Sequence, residues 1–216
     1  MNINLITVRV RWNRPQRYYD MDYWRGTYSL DGGCLANQGI HHLDLLRYLF
    51  GEVKLVNFKM GSFGSKVEAP DTAIGLIEFD SGVYGNIEIT TAARPNDIEA
   101  SISILTSEGY IEIGGIAVNE LKYFTKNPEL LNRYSEDFSK DVYGKGHYKL
   151  YKSIGENFLK NKKYLIDKKD LFKTIQLLNA CHYSNSNNKT VIVRKTKDFS
   201  LMGKYNKEIF NKYNPL

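Results

Sequence analysis

The sequence predicts an α+β fold in which helices pack on one face of an open, mostly antiparallel sheet. Segments rich in β-branched and aromatic residues follow one another through the first half of the chain, separated by short links that contain Gly, Asp, Asn or Pro. Helical spacing of apolar residues appears once among them and again only in the last third. Strands and helices are therefore grouped, and they do not alternate as in βαβ units.

The composition is that of a single globular domain. The 216 residues are 42% hydrophobic and 13% aromatic, which is enough to bury one substantial core. We expect this domain over residues 1–195 and a polar tail over residues 196–216. The net charge of +6 suits an anionic ligand. The Lys and Arg residues form no stripe, however, so nucleic-acid binding is not expected.

Three further patterns narrow the class of protein. No run of about 18 apolar residues is present, so a membrane span is not expected. The first residues lack the basic head and long apolar middle of a signal peptide. Cys34 and Cys181 are far apart and lack zinc-type spacing, so no metal site is expected. Together these patterns favour a reduced, cytoplasmic protein.

The first predicted strand covers residues 5–12, where Ile6, Val8 and Val10 alternate with polar residues. A polar and aromatic loop follows over residues 13–27. Its side chains suit a ligand, because a guanidinium binds phosphate or carboxylate and aromatic rings stack on flat groups. An amphipathic loop wrapped on the core is an equal alternative.

The most informative stretch, residues 31–50, combines polar side chains with an apolar helical pattern. Asn37 and His41 are four residues apart, so one continuous helix would place them on the same face. A neutral imidazole exchanges a proton near neutral pH, which makes His41 the first candidate for a general acid or base. Gly51 is the predicted C-terminal cap of this helix.

Five predicted strands follow the central helix. Their connections are short, so we expect antiparallel pairing in an open meander. They cover residues 53–60, 72–79, 83–91, 98–105 and 110–113. One face of the sheet should lie against the helices. The other face, if apolar, would need a second copy of the chain to cover it.

The last third of the chain predicts two helices, around residues 150–159 and 171–178. A turn over residues 184–189 and a short strand over residues 191–193 complete the predicted domain. The tail predicts at most one weak helix, near residues 207–213.

Five segments together resemble the second domain of the Gfo/Idh/MocA oxidoreductases, from about residue 6 to residue 193. They cover residues 24–33, 37–44, 90–95, 108–115 and 143–147. Asn-Gln-Gly-Ile-His at residues 37–41 replaces the commoner Asp-x-x-x-His. This replacement is similar to the branch of the family that oxidises UDP-linked N-acetylhexosaminuronic acids at C3.

The resemblance implies that His41 acts in proton transfer to or from the hydroxyl that loses hydride. Asn37 would help to hold the substrate where the family often has Asp, although an amide cannot act as a base. Further contacts to the substrate are implied for Arg14, Tyr18, Arg25, Gln38, Arg94 and His147. For the three arginines and the tyrosine, an ordinary surface role is an equal alternative. His42 is expected to be structural, and His182 to be a hydrogen-bonded structural residue.

The dinucleotide-binding half of the family is not recognisable in the sequence. The glycines at residues 61–64 and 144–146 do not complete G-x-G-x-x-G, and the family's Glu-Lys-Pro motif is absent. The resemblance therefore implies that this chain alone binds no cofactor, while the complete enzyme uses NAD(P). We expect a gene fragment, a separately expressed domain, or one half of a split enzyme whose Rossmann half is encoded elsewhere.

Two functions follow from the sequence. In the first, the chain is the substrate-binding half of an NAD(P)-dependent sugar or sugar-nucleotide dehydrogenase and is inactive alone. In the second, it is a non-catalytic module that binds a sugar nucleotide or self-associates. The expected partners are a small-molecule sugar or sugar nucleotide and a second copy of the chain bound through the sheet face.

Overall fold

A computed structural model describes residues 2–135, 146–162, 168–196, 199, 201–204 and 207–208. Within these residues the sheet is built from β1 (Ile3–Arg11), β2 (Val53–Gly61), β3 (Thr72–Phe79), β4 (Tyr84–Thr90), β5 (Glu99–Thr106), β6 (Gly109–Gly114), β7 (Glu120–Phe124) and β8 (Val191–Ile192). The helices are α1 (Gln16–Tyr19), α2 (Gly33–Asn37), α3 (Ile40–Phe50), α4 (Gly146–Leu159) and α5 (Lys168–Asn187). Short 3-10 turns cover Pro128–Leu130 and Val193–Lys195.

The strands form one open sheet in the order β7-β6-β5-β1-β4-β3-β2-β8. Strand β1 lies parallel to β4 and antiparallel to β5, and the other neighbours pair antiparallel. The predicted fold class is thus confirmed. The predicted uninterrupted meander is wrong, because β1 separates the β2–β4 meander from the β5–β7 meander. Short turns specify which neighbours pair locally, but they do not reveal that a distant strand fills the gap.

The hydrophobic core lies between one face of the sheet and helices α3 and α5. Strand β1 contributes Ile6, Val8 and Val10, each fully buried, which fits a strand at the centre of the sheet. Helix α5 packs mainly against β2. The opposite face of the sheet leaves Ile74 and Leu76 more than half exposed, because alternate residues of a strand point to opposite faces.

Several predicted boundaries change in the structure. The predicted single helix over residues 31–50 is interrupted after Asn37, so α2 and α3 are separate helices. Strand β7 was not predicted, because its five residues are half-exposed and lack an apolar alternation. Gly51 is the C-cap of α3, with a φ of 87°, as predicted.

The predicted turn at residues 184–189 is wrong in its first part, since α5 continues to Asn187. Ser184 is fully buried, and its hydroxyl accepts a hydrogen bond from the Phe58 N–H at 2.9 Å and donates to the Lys189 carbonyl at 2.6 Å. These two bonds give the Ser184 hydroxyl partners inside a helix. Local propensity predicts a turn there because serine disfavours the interior of a helix.

The predicted tail lies partly outside the described residues, and so does most of the helix predicted near residues 207–213. Of the described tail residues, Phe199 is buried and Met202 packs partly against the core. Among the described residues, none of the helices combines the length and the hydrophobicity that a membrane-spanning helix requires.

Candidate functional site

A cavity of about 580 Å³ opens beside the end of β1, next to the break between α2 and α3. Five segments meet there: the end of β1, the loop around α1, the α2–α3 junction, the connection from β4 to β5 and the connection after β6. The lining residues are Trp12, Arg14, Tyr18, Trp24, Arg25, Asn37, Gln38, His41, His42, Leu45, Asp97, Ile116, Ala117 and Val118. The structure therefore brings six of the residues predicted from the sequence to one cavity.

The α2–α3 junction determines where the polar side chains of this stretch point. A Cβ on Gly39 would lie 2.7 Å from the Ile89 side chain and 2.8 Å from the Leu35 carbonyl oxygen. Only glycine lets the chain pass this close to β4 and α2. Asn37 is the last residue of α2 and His41 is the second residue of α3, and both line the same cavity.

His41 and His42 differ in burial although they are adjacent. His41 is an exposed residue that lines the cavity. His42 is 3% exposed, and its ring lies edge-on against Trp12 with 6.0 Å between the ring centroids. Burial lowers the pKa of His42 to about 4, so this imidazole is neutral at physiological pH. Of the two histidines, His41 is thus the one that is exposed in the cavity.

Asn37 is held from behind by a carboxylate. Its side-chain Nδ2 donates to Asp31 Oδ1 at 2.5 Å, and the Gly26 N–H donates to Asp31 Oδ2 at 2.6 Å. Burial raises the pKa of the Asp31 carboxyl, while the hydrogen bonds from Asn37 and Gly26 oppose that effect. Asp31 itself is not among the residues that line the cavity.

Arginine and aromatic side chains form one wall of the cavity. The Arg25 guanidinium lies 4.2 Å from the ring centroid of Tyr18 and 4.5 Å from that of Trp24. The Arg14 guanidinium lies 5.5 Å from the Tyr18 centroid and 5.6 Å from that of Trp12. Aromatic rings at these distances attract the guanidinium groups and help to hold them in the wall, where they are placed to meet an anionic group.

Each of these cations also has a carboxylate partner. Arg14 Nη1 lies 3.1 Å from Asp97 Oδ1, and Arg25 Nε lies 3.0 Å from Asp22 Oδ2. The Arg14 side chain is 25% exposed and that of Arg25 is 17% exposed, so both are held largely inside the wall. The carboxylates fix the positions of the guanidinium groups and neutralise part of their charge.

Two of the predicted contacts lie elsewhere. Arg94 is not among the lining residues, and its guanidinium donates to the carbonyl groups of Gly64 at 2.9 Å and Ala93 at 2.8 Å. It thereby ties the loop after β4 to the loop after β2. His147 is an exposed residue near the start of α4 and is likewise not among the lining residues.

His182 is buried, but its prediction as a hydrogen-bonded residue is wrong. Its ring stacks on Phe199 at 5.2 Å and meets Tyr28 edge-on at 5.9 Å. Among the described residues, neither ring nitrogen has a hydrogen-bond partner. Burial lowers the pKa of His182 to about 4.

Sequence reasoning missed several lining residues, of which Asp97 is the most informative. It follows a Pro-containing turn, and no local pattern shows that it meets Arg14, 83 residues earlier in the chain. Residues 116–118 lie in a connection whose position depends on the pairing of β6 with β7. Among the described residues, no group of three or more His, Cys, Asp or Glu side chains is placed to hold a metal ion.

Solved structures of two sugar-nucleotide dehydrogenases resemble this chain over most of its length. The WlbA dehydrogenase from Bordetella pertussis, in complex with NADH and UDP-GlcNAcA, is 30% identical, with a TM-score of 0.74 over 88% of this chain and 54% of that chain. The WlbA dehydrogenase from Chromobacterium violaceum, in complex with the same two ligands, is 30% identical, with a TM-score of 0.77 over 91% of this chain and 56% of that chain. The chain thus spans just over half the length of these relatives.

More distant structures share the fold alone. Levoglucosan dehydrogenase in complex with NADH and levoglucosan is 18% identical, with a TM-score of 0.69 over 90% of this chain and 60% of that chain. No curated protein matches the chain significantly. Residues 2–112 match the GFO/IDH/MocA C-terminal domain. That match covers more than half of the chain, which therefore belongs to the GFO/IDH/MocA family and contains its C-terminal domain.

Proposed function

We propose that this domain is the substrate-binding half of an NAD(P)-dependent dehydrogenase that oxidises a hydroxyl of a sugar nucleotide, namely C3 of a UDP-N-acetylhexosaminuronic acid. The observation that carries the proposal is the cavity, which combines an accessible imidazole with amide and guanidinium groups. These are His41, Asn37, Gln38, Arg14 and Arg25.

The polar end of the cavity suits the reacting sugar. Oxidation of a secondary hydroxyl removes a proton from oxygen and a hydride from carbon, and the dinucleotide, when bound, supplies the hydride acceptor. The His41 imidazole is the accessible base of the cavity and takes the hydroxyl proton. Asn37 cannot take a proton, since its side chain is an amide, and so it serves to orient the sugar.

The arginine and aromatic wall suits the nucleotide and the uronic acid. Guanidinium groups form paired hydrogen bonds with phosphate or carboxylate oxygens, and aromatic rings stack on a flat base. Arg14 and Arg25 offer two such cations next to Tyr18. The ligand of the two WlbA structures, UDP-GlcNAcA, carries a diphosphate, a base and a carboxylate. This agreement supports the same class of ligand here.

Calorimetric titration of the chain with UDP-GlcNAcA tests the proposal. We expect saturable binding, weaker binding of UDP-GlcNAc, which lacks the carboxylate, and a loss of about tenfold in affinity for Arg25→Ala. Tyr48→Ala is the matched control, because Tyr48 is 84% exposed and is not a lining residue. Absence of binding to both nucleotides would contradict the proposal.

Catalysis is tested by adding a NAD(P)-binding Rossmann half of the same family and following NADH absorbance. We expect turnover with the pair, and none with His41→Ala although that variant still binds UDP-GlcNAcA. Tight NAD binding by the chain alone would contradict the proposal that this chain binds the substrate while a Rossmann half binds the dinucleotide. If binding is unaffected but no turnover occurs with any partner, the second function, a non-catalytic sugar-nucleotide module, is favoured.

We also propose that two copies of the domain associate through the bare sheet face. Ile74 is 52% exposed, Leu76 is 65% exposed and Tyr84 is 62% exposed, and all three lie on adjacent strands of that face. A monomer rarely leaves such a patch in water.

We further propose a cytoplasmic location. The proposed reaction depends on a cellular dinucleotide, and Cys34 and Cys181 are both free and buried, which supports this location.

A further inference from the structure

The carboxylate behind Asn37 has no direct access to the ligand, yet its two oxygens have defined partners. Asp31 Oδ2 accepts from the Gly26 N–H at 2.6 Å, and Asp31 Oδ1 accepts from Asn37 Nδ2 at 2.5 Å. One partner is a backbone group and the other is a residue that lines the cavity. Asp31 therefore links the main chain to the wall of the site.

The backbone end of this link is rigid. Gly26 has a φ of 70°, and a Cβ there would lie 2.6 Å from the Val67 side chain. The Gly26 carbonyl also accepts from the Ala69 N–H at 2.8 Å. Because both peptide groups of Gly26 are engaged, its N–H holds Asp31 Oδ2 in one place, and Asp31 Oδ1 is thereby aimed at Asn37.

The link also decides which end of the Asn37 amide faces the ligand. An ionised carboxylate can only accept hydrogen bonds, so the group that meets Asp31 is the amide nitrogen. The amide oxygen is bonded to the same carbon as that nitrogen, and Asn37 lines the cavity. We propose that Asp31 is a positioning residue, which fixes Asn37 so that its amide oxygen accepts a hydrogen bond from the ligand. The identity of that ligand rests on the proposed function.

The same contact explains why residue 37 is an amide. A carboxylate at position 37 would meet Asp31 at the present 2.5 Å separation, and two carboxylates at that distance cannot both be ionised. Residues 31 and 37 thus form one unit in which one side chain accepts and the other donates. The departure from the family's Asp is compensated at position 31.

Substitutions that exchange the acceptor at position 31 and the donor at position 37 test whether these two residues act together. Asn37→Asp should bind UDP-GlcNAcA about tenfold more weakly at pH 8 and recover toward pH 5, where the carboxylate pair holds a proton. Asp31→Asn should also lose about tenfold, because one amide oxygen cannot serve both the Gly26 N–H and the Asn37 amide.

The double variant, Asp31→Asn with Asn37→Asp, is the decisive protein. Its amide oxygen at position 31 accepts from the Gly26 N–H, and its amide nitrogen donates to the new carboxylate. We expect affinity within about threefold of the original and little dependence on pH. Asp20→Asn is the control, since Asp20 is exposed and accepts only from Gln16 among the described residues.

Two results would overturn the inference: Asp31→Asn binding UDP-GlcNAcA as tightly as the original protein, or the double variant binding it no better than Asn37→Asp.

Thermal unfolding of the original protein, the two single variants and the double variant at pH 5 and pH 8 gives a readout that needs no ligand. Asn37→Asp should lose stability as pH rises, and the double variant should not. If the original protein binds no UDP-GlcNAcA, the proposed function fails while the unfolding data still decide whether residues 31 and 37 are coupled. A purely structural role would change unfolding and leave the affinity of the folded variants unchanged.

Discussion

His41 and His42 are adjacent in the chain, but their imidazoles have different surroundings. Successive residues of a helix point about 100° apart. His41 is therefore exposed in the cavity, while His42 is buried beside Trp12. The sequence predicts this division, because helical spacing separates the two residues. It does not predict that Asp31 holds Asn37, since a contact between side chains six residues apart depends on the bend of the loop before α2.

The buried histidines should make the protein sensitive to acid. His42 and His182 have a pKa of about 4 in the folded state, against a usual value of 6.5. Between these pH values the unfolded chain binds protons that the folded chain does not. Their contribution to stability is therefore complete above pH 6.5 and is lost as pH falls toward 4.

Denaturant unfolding at pH 7 and pH 5 measures this effect. Each buried histidine should lower the free energy of unfolding by about 2 kcal/mol between these two conditions. His182→Leu should remove one of the two contributions. Phe172→Leu is the control, because Phe172 lies on the same helix, is 71% exposed and does not titrate. An equal pH dependence for His182→Leu and the original protein would contradict the prediction.

At the scale of elements, the junction between α2 and α3 determines the shape of the site. The sequence predicts a helix there because the apolar periodicity continues across residues 31–50. The interruption arises where Gly39 packs against Ile89 of β4. The spacing of apolar residues along the chain does not reveal this contact. Strand β7 was missed for a related reason, since its place in the sheet depends on pairing with β6 and its own residues show no apolar alternation.

Gly39→Ala tests the role of this junction. The new methyl group would contact the Leu35 carbonyl oxygen, which cannot rotate away, so we expect a loss of about 1–3 kcal/mol in stability. Displacement of α3 should also weaken UDP-GlcNAcA binding, because α3 carries His41. Gly155→Ala in α4 is the control. Its Cβ would meet nothing within 4 Å, and alanine is the better helix former. Equal stability of the two variants would contradict the prediction.

At the scale of the whole molecule, alternation and turn signals predicted the sheet and its helical cover. Of the six predicted residues that line the cavity, Arg25, Asn37, Gln38 and His41 lie in segments that carry the family resemblance, whereas Arg14 and Tyr18 were candidates from the loop after the first strand. The position of β1 at the centre of the sheet was not predictable in the same way. Its neighbour β4 is about 80 residues away, as in the hydrogen bond of 2.6 Å between Thr7 and Asn86, and its neighbour β5 is more distant still, since Ile6 pairs with Ile104. Contacts between residues so far apart in the sequence form only in the assembled sheet, and local patterns do not predict them. The ion pair of Arg14 with Asp97 is of the same kind.

The bare sheet face gives a prediction at this scale. Leu76→Glu should shift the protein to the monomer in size-exclusion chromatography with light scattering, because a charge would be buried against the second copy. Tyr48→Glu is the control, since Tyr48 is 84% exposed on α3, away from the sheet face. If the original protein is already monomeric, the proposed association through this face is wrong.

The position of β1 also matters while the protein is being made. Both of its partner strands follow after a long interval, since Ile6 pairs with Gly85 on one side and with Ile104 on the other. At about 5–20 residues per second, a ribosome needs roughly 4–16 s to reach Gly85 and roughly 5–20 s to reach Ile104. During that time a strand whose Ile6, Val8 and Val10 are fully buried in the folded protein has at least one unpaired edge. Chaperone demand and aggregation during synthesis should therefore depend more on β1 than on any strand at the margins of the sheet.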